Sequence, residues 1–363
     1  MIESSFDYHD STFRLQHDAL KGQAIAQNTV LGVGGATRTL LNLIPQESFE
    51  KVWDLGCGSG AIAIALSTHS KKVIATDISE RALDFARKSA DLNQVSNIEF
   101  RLGSLADPVR DERFDLIVSN PPFVIDDVSN LEHRESPFDA DGLTRELLRM
   151  IPNHLNEKGI AIFLTAWLET ETESWEERIS EMLPEDVHVW VCLRDLQTAN
   201  QYIDTWLDDA KISYEELKSK WKAKLETWET RKIAFGFVVL QKDMSVEPCH
   251  NLNDVRNATR LPNGQELLNA IDEMKLASAL SALNVMSSSF TAATSQSWRG
   301  DVVLDGVLSG LRTNLSAGLG FEEAVEQVAA DLNLDREDVQ VYGLVGVKTL
   351  VSMGLLALNT PRI

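Results

Sequence analysis

The sequence predicts an α/β protein built on a doubly wound, seven-stranded parallel sheet, followed by a smaller, mostly helical domain. Three observations carry this. Short apolar runs alternate with helical segments from residue 51 to 243, which calls for crossover connections between parallel strands. One run, Lys51-Val52-Trp53-Asp54-Leu55, enters a glycine-rich turn, Gly56-Cys57-Gly58-Ser59-Gly60, that opens a helix from Ala61 to Ser67. Another, Phe114-Asp115-Leu116-Ile117-Val118-Ser119, is apolar enough to be buried on both faces and stops at Asn120-Pro121-Pro122-Phe123. Proline cannot donate to a ladder, so the strand ends there.

Residues 1–50 read as an N-terminal cap or substrate segment. Ser11 to Gln16 alternates weakly, as a strand does, and Ala24 to Val33 is mostly small and apolar. Gly34-Gly35 makes a turn, Thr37 is placed to cap a short helix to Leu43, and Pro45 ends it. In the core, 51–243, the further strands are Lys72–Thr76, Asn97–Leu102, Gly159–Ala166, Val187–Leu193 and Lys232–Leu240. Ser79 caps a helix to about Leu92 whose early acids (Glu80, Asp84) and later bases (Arg87, Lys88) suit the helix dipole. Gly142–Leu155 and Thr172–Met182 read as further helices.

An amphipathic helical insertion is expected at 195–230. Six of the eight tryptophans fall between Trp167 and Trp228. A base-stacking platform would use them, but large aromatics mostly fill cores, and packing of the insertion onto the sheet is the preferred reading. Lys218, Lys220, Lys222 and Lys224 form a basic cluster flanked at helical spacing by Glu216 and Glu226, a solvated helix face rather than a phosphate site. Residues 244–265 read as a linker. In 266–363, helices at Gln265–Ser281, Phe321–Leu332 and from Asp335 onward precede Gly354-Leu355-Leu356-Ala357-Leu358, a winged-helix-like pattern. From residue 251 on there are 8 basic and 13 acidic residues, so protein contact or capping is preferred to nucleic-acid binding.

Net charge is −21, from 34 basic and 55 acidic residues, which disfavours clamping of long nucleic acid. No run of about 18 apolar residues predicts a membrane span, and Met1-Ile2-Glu3-Ser4-Ser5 lacks signal-peptide features. Cys57, Cys192 and Cys249 are widely spaced, as free thiols in a reducing cytoplasm are, and the histidines show no metal-ligand spacing.

The strand that ends at Ser119 places Asn120 at the carboxyl end of the sheet, where open α/β sheets hold ligands. A residue before proline is pushed to extended dihedrals, which fixes where the Asn120 amide and the Pro121 carbonyl point. Two such acceptors can each take one N–H of a planar NH2 group and aim its nitrogen at an electrophile. The glycine turn lets backbone approach a ligand closely, and Asp77, at the end of the second strand, can accept two ribose hydroxyls. Gly56-x-Gly58-x-Gly60 with Ala61 also permits a nicotinamide cofactor, but that reading leaves Asn120-Pro121-Pro122 unexplained.

Asp54-Leu55-Gly56-Cys57-Gly58-Ser59-Gly60, Asp77 and Asn120-Pro121-Pro122-Phe123 together resemble the class I S-adenosylmethionine-dependent methyltransferases that methylate planar nitrogen. Nearest are the HemK/PrmC and RsmC-like small-domain methyltransferases. Val30-Leu31-Gly32-Val33-Gly34-Gly35-Ala36-Thr37 resembles an actinobacterial branch, and the likeness covers about residues 28 to 245. The resemblance implies S-adenosylmethionine as cofactor and a planar amino nitrogen as acceptor, in an RNA or DNA base or a protein glutamine. By it, Gly56, Gly58 and Gly60 border the methionyl part and Asp54 faces its amino group. Asp77 holds the ribose, Ile78 lies against the adenine, and Ser104 or Leu105 reaches the adenine amine. Ser104 departs from the acidic residue common there. Asn120, also beside the cofactor, and Pro121 hold the acceptor nitrogen; Pro122 ends the strand and Phe123 stacks on the acceptor. The partner implied is RNA or a translation-related protein. The alternative is a methyltransferase-like scaffold without turnover.

Overall fold

The computed structural model describes residues 1–18, 29–125, 138–207, 214–279, 290–292, 304 and 306–358. They form two compact units, Met1–Asp243 and Met244–Ile363.

The first unit opens with an antiparallel hairpin, β1 (Ile2–Tyr8) and β2 (Ser11–His17), in the register Phe6↔Phe13. Strict alternation buries Phe6, Tyr8, Phe13 and Leu15 on one face. Only the second of these strands was expected. Of the small apolar stretch at 24–33, residues 24–28 lie outside the described residues. In α1 (Gly35–Leu43) the N-cap is Gly34, with extended backbone and no side-chain cap. Thr37 therefore sits inside the first turn and does not cap it, contrary to expectation.

The sheet elements follow: β3 (Phe49–Leu55), α2 (Ala61–Ser67), β4 (Ser70–Asp77), α3 (Glu80–Leu92), β5 (Ile98–Leu102) and β6 (Phe114–Ser119). Then come α4 (Gly142–Met150), β7 (Leu155–Thr170), α5 (Trp175–Ser180), β8 (His188–Thr198), α6 (Ala199–Leu207), α7 (Tyr214–Thr227) and β9 (Thr230–Gln241). Ser79 caps α3 as expected, accepting from the Ala82 N–H at 3.3 Å. The α4 helix is shorter than expected because Pro152 turns the chain into a 3-10 segment, Ile151–His154. Likewise α5 begins only at Trp175, where Ser174 and Glu177 close a capping box.

The seven strands of this unit are ordered β8-β9-β7-β6-β3-β4-β5. From β7 to β5 all pairings are parallel. The expected all-parallel sheet breaks at β9, which runs antiparallel to both β7 and β8. The cause is the α6–α7 excursion: it leaves from the end of β8 and returns at the same edge, so β9 must run back. It thereby sits at the carboxyl end of the parallel strands. The sheet core is dense around Trp53, fully buried, whose indole donates to Thr76 Oγ1 at 2.9 Å.

The excursion packs Tyr202, Ile203, Trp221 and Leu225 onto Leu168 and Ile233. Residues 208–213 of the expected insertion lie outside the described residues. Trp167, Trp175, Trp190 and Trp221 are buried, while Trp206 and Trp228 pack against the same cluster. The tryptophans thus fill cores. The lysine cluster is ion-paired: Lys218 with Asp204, Lys220 with Glu216, Lys222 with Glu226 and Lys224 with Asp139.

The second unit holds β10 (His250–Asp254), α8 (Gly264–Ala279), β11 (Phe290–Ala292), α9 (Gly306–Ser316), α10 (Phe321–Leu332), α11 (Arg336–Ser352) and β12 (Leu356–Leu358). The stretch read as a linker thus contains a strand, and residues 280–281 of the first expected helix lie outside the described residues. β11 and β12 pair antiparallel. Phe290, Leu311, Phe321, Val347 and Leu350 form the core. Asp335 caps α11, accepting from the Glu337 N–H at 2.8 Å. No described helix is long and apolar enough to cross a membrane.

A Cβ added at Gly236 in β9 would lie 2.1 Å from the Cys192 carbonyl oxygen and 3.0 Å from Trp167 Cη2. Gly236→Ala should therefore destabilise the first unit by about 2–3 kcal/mol in urea unfolding, through overpacking against backbone that cannot yield.

Candidate functional site

Three strand ends are brought level by the sheet register. Leu55 faces Thr76 on one side and Ser119 on the other, so Gly56, Asp77 and Asn120 leave the sheet side by side. Ser119 Oγ donates to the Leu55 carbonyl at 2.8 Å and pins β6 to β3 at that row.

The glycine turn needs left-handed backbone: φ is 76° at Gly56, 54° at Gly58 and 89° at Gly60. The Gly56 and Cys57 N–H groups both donate to the Thr76 carbonyl at 2.9 Å. A Cβ at Gly56 or Gly58 would meet nothing within 4 Å, so their backbone borders open space. At Gly60 a Cβ would lie 3.0 Å from that of Ala86, so this glycine lets α2 approach α3.

Asp77 braces the turn. Its Oδ2 accepts from the Gly58 N–H and its Oδ1 from the Ser79 N–H, each at 2.9 Å. Burial raises its pKa, and the Ser79, Gly58 and Ile78 N–H groups pull it partly back. Each oxygen keeps a further lone pair for a hydroxyl donor. Beside it Ile78 is 73% exposed, a large apolar side chain standing in the open. The Gly103 N–H donates to the Asp77 carbonyl at 3.0 Å and brings Ser104 and Leu105 alongside. Ser104 is exposed, and Leu105 takes a left-handed φ of 47°.

Asp54 lies beneath the turn, fully buried, and neither carboxyl oxygen has a hydrogen-bond partner. Burial pushes its pKa up to about 8; the Ala63 N–H, which makes no well-formed hydrogen bond to either oxygen, offsets a part by its dipole, and the Asp77 charge adds to the rise. A buried carboxyl without a donor is costly unless a ligand or proton compensates it. Cys57 is buried as well. Burial, with Asp54 and Asp77 nearby, holds its thiol far above the ordinary range, which makes it a poor nucleophile.

On the other side of the row, Asn120 is half-buried and its Nδ2 donates to Thr37 Oγ1 at 3.5 Å, a long contact that leaves Oδ1 free to accept. Pro121 is buried; Pro122 and Phe123 are half-buried. The Phe123 ring meets Phe235 of β9 edge-on, centroids 6.4 Å apart. Ser59 Oγ donates to the Leu31 carbonyl at 2.8 Å, tying the upstream segment to the glycine turn.

The structure thus gathers the sequence-predicted residues into one site. Gly56, Gly58, Gly60, Asp77, Ile78, Ser104 and Leu105 lie around the turn, Asp54 lies below, and Asn120 to Phe123 lie alongside. Sequence reasoning missed Thr37 as a partner of Asn120 and Phe235 as the ring that Phe123 meets. No local pattern marks Phe235; its register with Asp195 and Ala166 places it. Thr37 could have been found as a polar residue just after the exposed Gly34-Gly35. Among the described residues no group of histidine, cysteine and acidic side chains could hold a metal.

A family model, the methyltransferase small domain, matches residues 31–165. Over that stretch, little more than a third of the chain, the sequence is similar to that family. A release factor glutamine methyltransferase of Xylella fastidiosa is 35% identical over 139 residues, which are 35% of this chain and 50% of the relative. A ribosomal protein L11 methyltransferase of Lactobacillus johnsonii is 36% identical over 140 residues, 36% of this chain and 38% of the relative. A solved ribosomal protein L11 methylase from Lactobacillus delbrueckii subsp. bulgaricus is 33% identical, covering 32% of this chain and 51% of that one, with a TM-score of 0.26. The chain therefore spans about half, or less, of the relatives it matches.

The Asp54 carboxyl sets a pH dependence. Its folded pKa of about 8 lies above the unfolded value of 3.8, so the folded state holds a proton that the unfolded state has released. Stability from this group is complete below the unfolded pKa and is lost as pH rises toward the folded one. Asp54→Asn should become progressively more stable than the unsubstituted protein from pH 5 to pH 8, by on the order of a few kcal/mol, in urea unfolding at each pH.

Proposed function

We propose that this chain is an S-adenosylmethionine-dependent N-methyltransferase that methylates a planar side-chain amide of a protein, glutamine being the amide that fits. The observation that carries the reading is the juxtaposition of Asn120 with the open glycine turn and Asp77 at one row of the sheet. The cofactor, when bound, supplies a methyl group made electrophilic by its sulfonium.

The chain's own residues do the rest. Asp77 accepts the ribose hydroxyls with the lone pairs left beyond Gly58 and Ser79. Ile78 covers the adenine with exposed apolar surface, and the Ser104 hydroxyl or Leu105 N–H meets its amine. Gly56, Gly58 and Gly60 border the methionyl part. Asp54, protonated in the fold by its burial, would give up that proton to balance the amino group's positive charge through the turn. Asn120 Oδ1 and the Pro121 carbonyl each accept one N–H of the acceptor nitrogen, and Phe123 lies against the amide plane. An amide nitrogen is a weak nucleophile because its lone pair is delocalised. Holding both hydrogens aims what lone-pair density remains at the methyl group, so positioning does most of the work.

A protein acceptor is favoured over nucleic acid on two grounds. The chain carries a net charge of −21, and each lysine of its basic cluster has an acidic partner.

The test is label transfer from radiolabelled S-adenosylmethionine into a lysate of cells lacking this protein, split into protein and RNA fractions, with Asn120→Ala as blank. Label in a protein band, as methylated glutamine, is the expected result. Label confined to RNA would overturn the acceptor class, and no label above the blank would overturn the activity. Asn120→Ala should keep cofactor affinity and lose about 10²-fold or more in turnover, the loss typical of one preorganised polar contact. Asp77→Ala should instead weaken cofactor binding by calorimetry; an unchanged dissociation constant would remove Asp77 from that role.

A further inference from the structure

The segment after Pro122 is held from behind by the two-helix excursion. Val124 and Ile125 are both 2% exposed. The Ile125 carbonyl accepts two hydrogen bonds, from Tyr202 Oη of α6 at 3.1 Å and from Trp221 Nε1 of α7 at 3.3 Å. Both donors are fully buried. A carbonyl oxygen has two lone pairs, so the two bonds are made together, and in a buried setting neither is replaced by water. The aromatic contacts continue toward the site. Tyr202 meets Trp221 edge-on at 5.3 Å and stacks on Phe235 at 5.6 Å, and Phe235 in turn meets Phe123.

We infer that Tyr202 and Trp221 are positioning residues for the methyl acceptor: through the Ile125 carbonyl and Phe235 they fix the Phe123 ring against which the planar amide lies. The inference rests on the acceptor site proposed above. It assigns the excursion a share in turnover that its distance along the chain from Asn120 does not suggest. A short proline-rich segment has few side chains of its own to fix its far end. Here two separate helices meet on one backbone oxygen just beyond the aromatic residue, so the segment is anchored at Ser119 on one side and at Ile125 on the other.

The test uses the full chain with Tyr202→Phe, which keeps the ring, Trp221→Phe, which keeps an aromatic but smaller side chain, and the double variant. Turnover is scored per S-adenosylmethionine-binding site, counted by calorimetry, so that loss of folded protein does not register as loss of activity. Each single variant should lower kcat/KM for the acceptor about three- to tenfold with the cofactor dissociation constant unchanged. The double variant should fall by more than the product, because the buried carbonyl then loses both partners. Hydrogen exchange across residues 123–125 should quicken in the double variant. Unchanged turnover per site, whether or not the melting temperature drops, would overturn the inference, as would unchanged exchange or a loss explained by weaker cofactor binding. Should the unsubstituted protein transfer no more label than Asn120→Ala, the proposed function fails and the positioning role falls with it. Activity in the unsubstituted protein that survives both substitutions overturns the positioning role alone.

Discussion

The site depends on the registry of one parallel row. Leu55, Thr76 and Ser119 stand level across β3, β4 and β6, and the Ser119 hydroxyl fastens that row to the Leu55 carbonyl. Because side chains alternate and strands sit about 4.8 Å apart, a slip of one residue would turn Asp77 or Asn120 to the wrong face. Everything that touches a ligand in the proposed site leaves the sheet within one or two residues of this row. Glycine is needed there because the backbone turns through positive φ at Gly56, Gly58 and Gly60, and without side chains Gly56 and Gly58 leave the space beside the turn open.

One group in the site is costly as it stands. Asp54 is buried with neither oxygen bonded, against the rule that buried polar groups are paired. Around it the sheet is densely packed: Trp53, Ile74 and Ala61 to Leu66 of α2 are buried, and the Trp53 indole is paired with Thr76.

Much of this was legible in the sequence because the signals are local. The limits of α2, the Ser79 cap and the halt of β6 at Ser119 follow from glycine, serine and proline at particular places. Burial of the tryptophans followed from their size, and the pairing of Lys220 and Lys222 from the flanking Glu216 and Glu226; Asp204 and Asp139, the partners of Lys218 and Lys224, lie too far along the chain for spacing to name them. What escaped depends on distant parts of the chain. The direction of β9 is set by where the excursion returns, which apolar periodicity does not encode. β1 alternates, but its run of glutamate, serine and aspartate masks Phe6 and Tyr8 until β2 pairs with it. α9 begins at a glycine and carries Gly310 in its middle, poor helix formers accepted because a Cβ there would press on Val328 of α10. Thr37 looked like a cap, yet Gly34 already supplied the extended turn, and its hydroxyl reaches across to Asn120.

The antiparallel return of β9 divides the sheet's labour. The glycine turn and Asp77 stand on β3 and β4, while the aromatic wall rises from β9 and the excursion, on the far side of β6 and β7. The stretch matched by the family model ends at residue 165, part-way along β7, before that wall begins. The glycine turn and the aromatic wall thus stand on opposite flanks of one sheet. In the proposed site, substitutions in α6 and α7 would reshape the wall that faces the acceptor while leaving the backbone of the turn and its Asp77 brace as they are, so one flank could vary independently of the other.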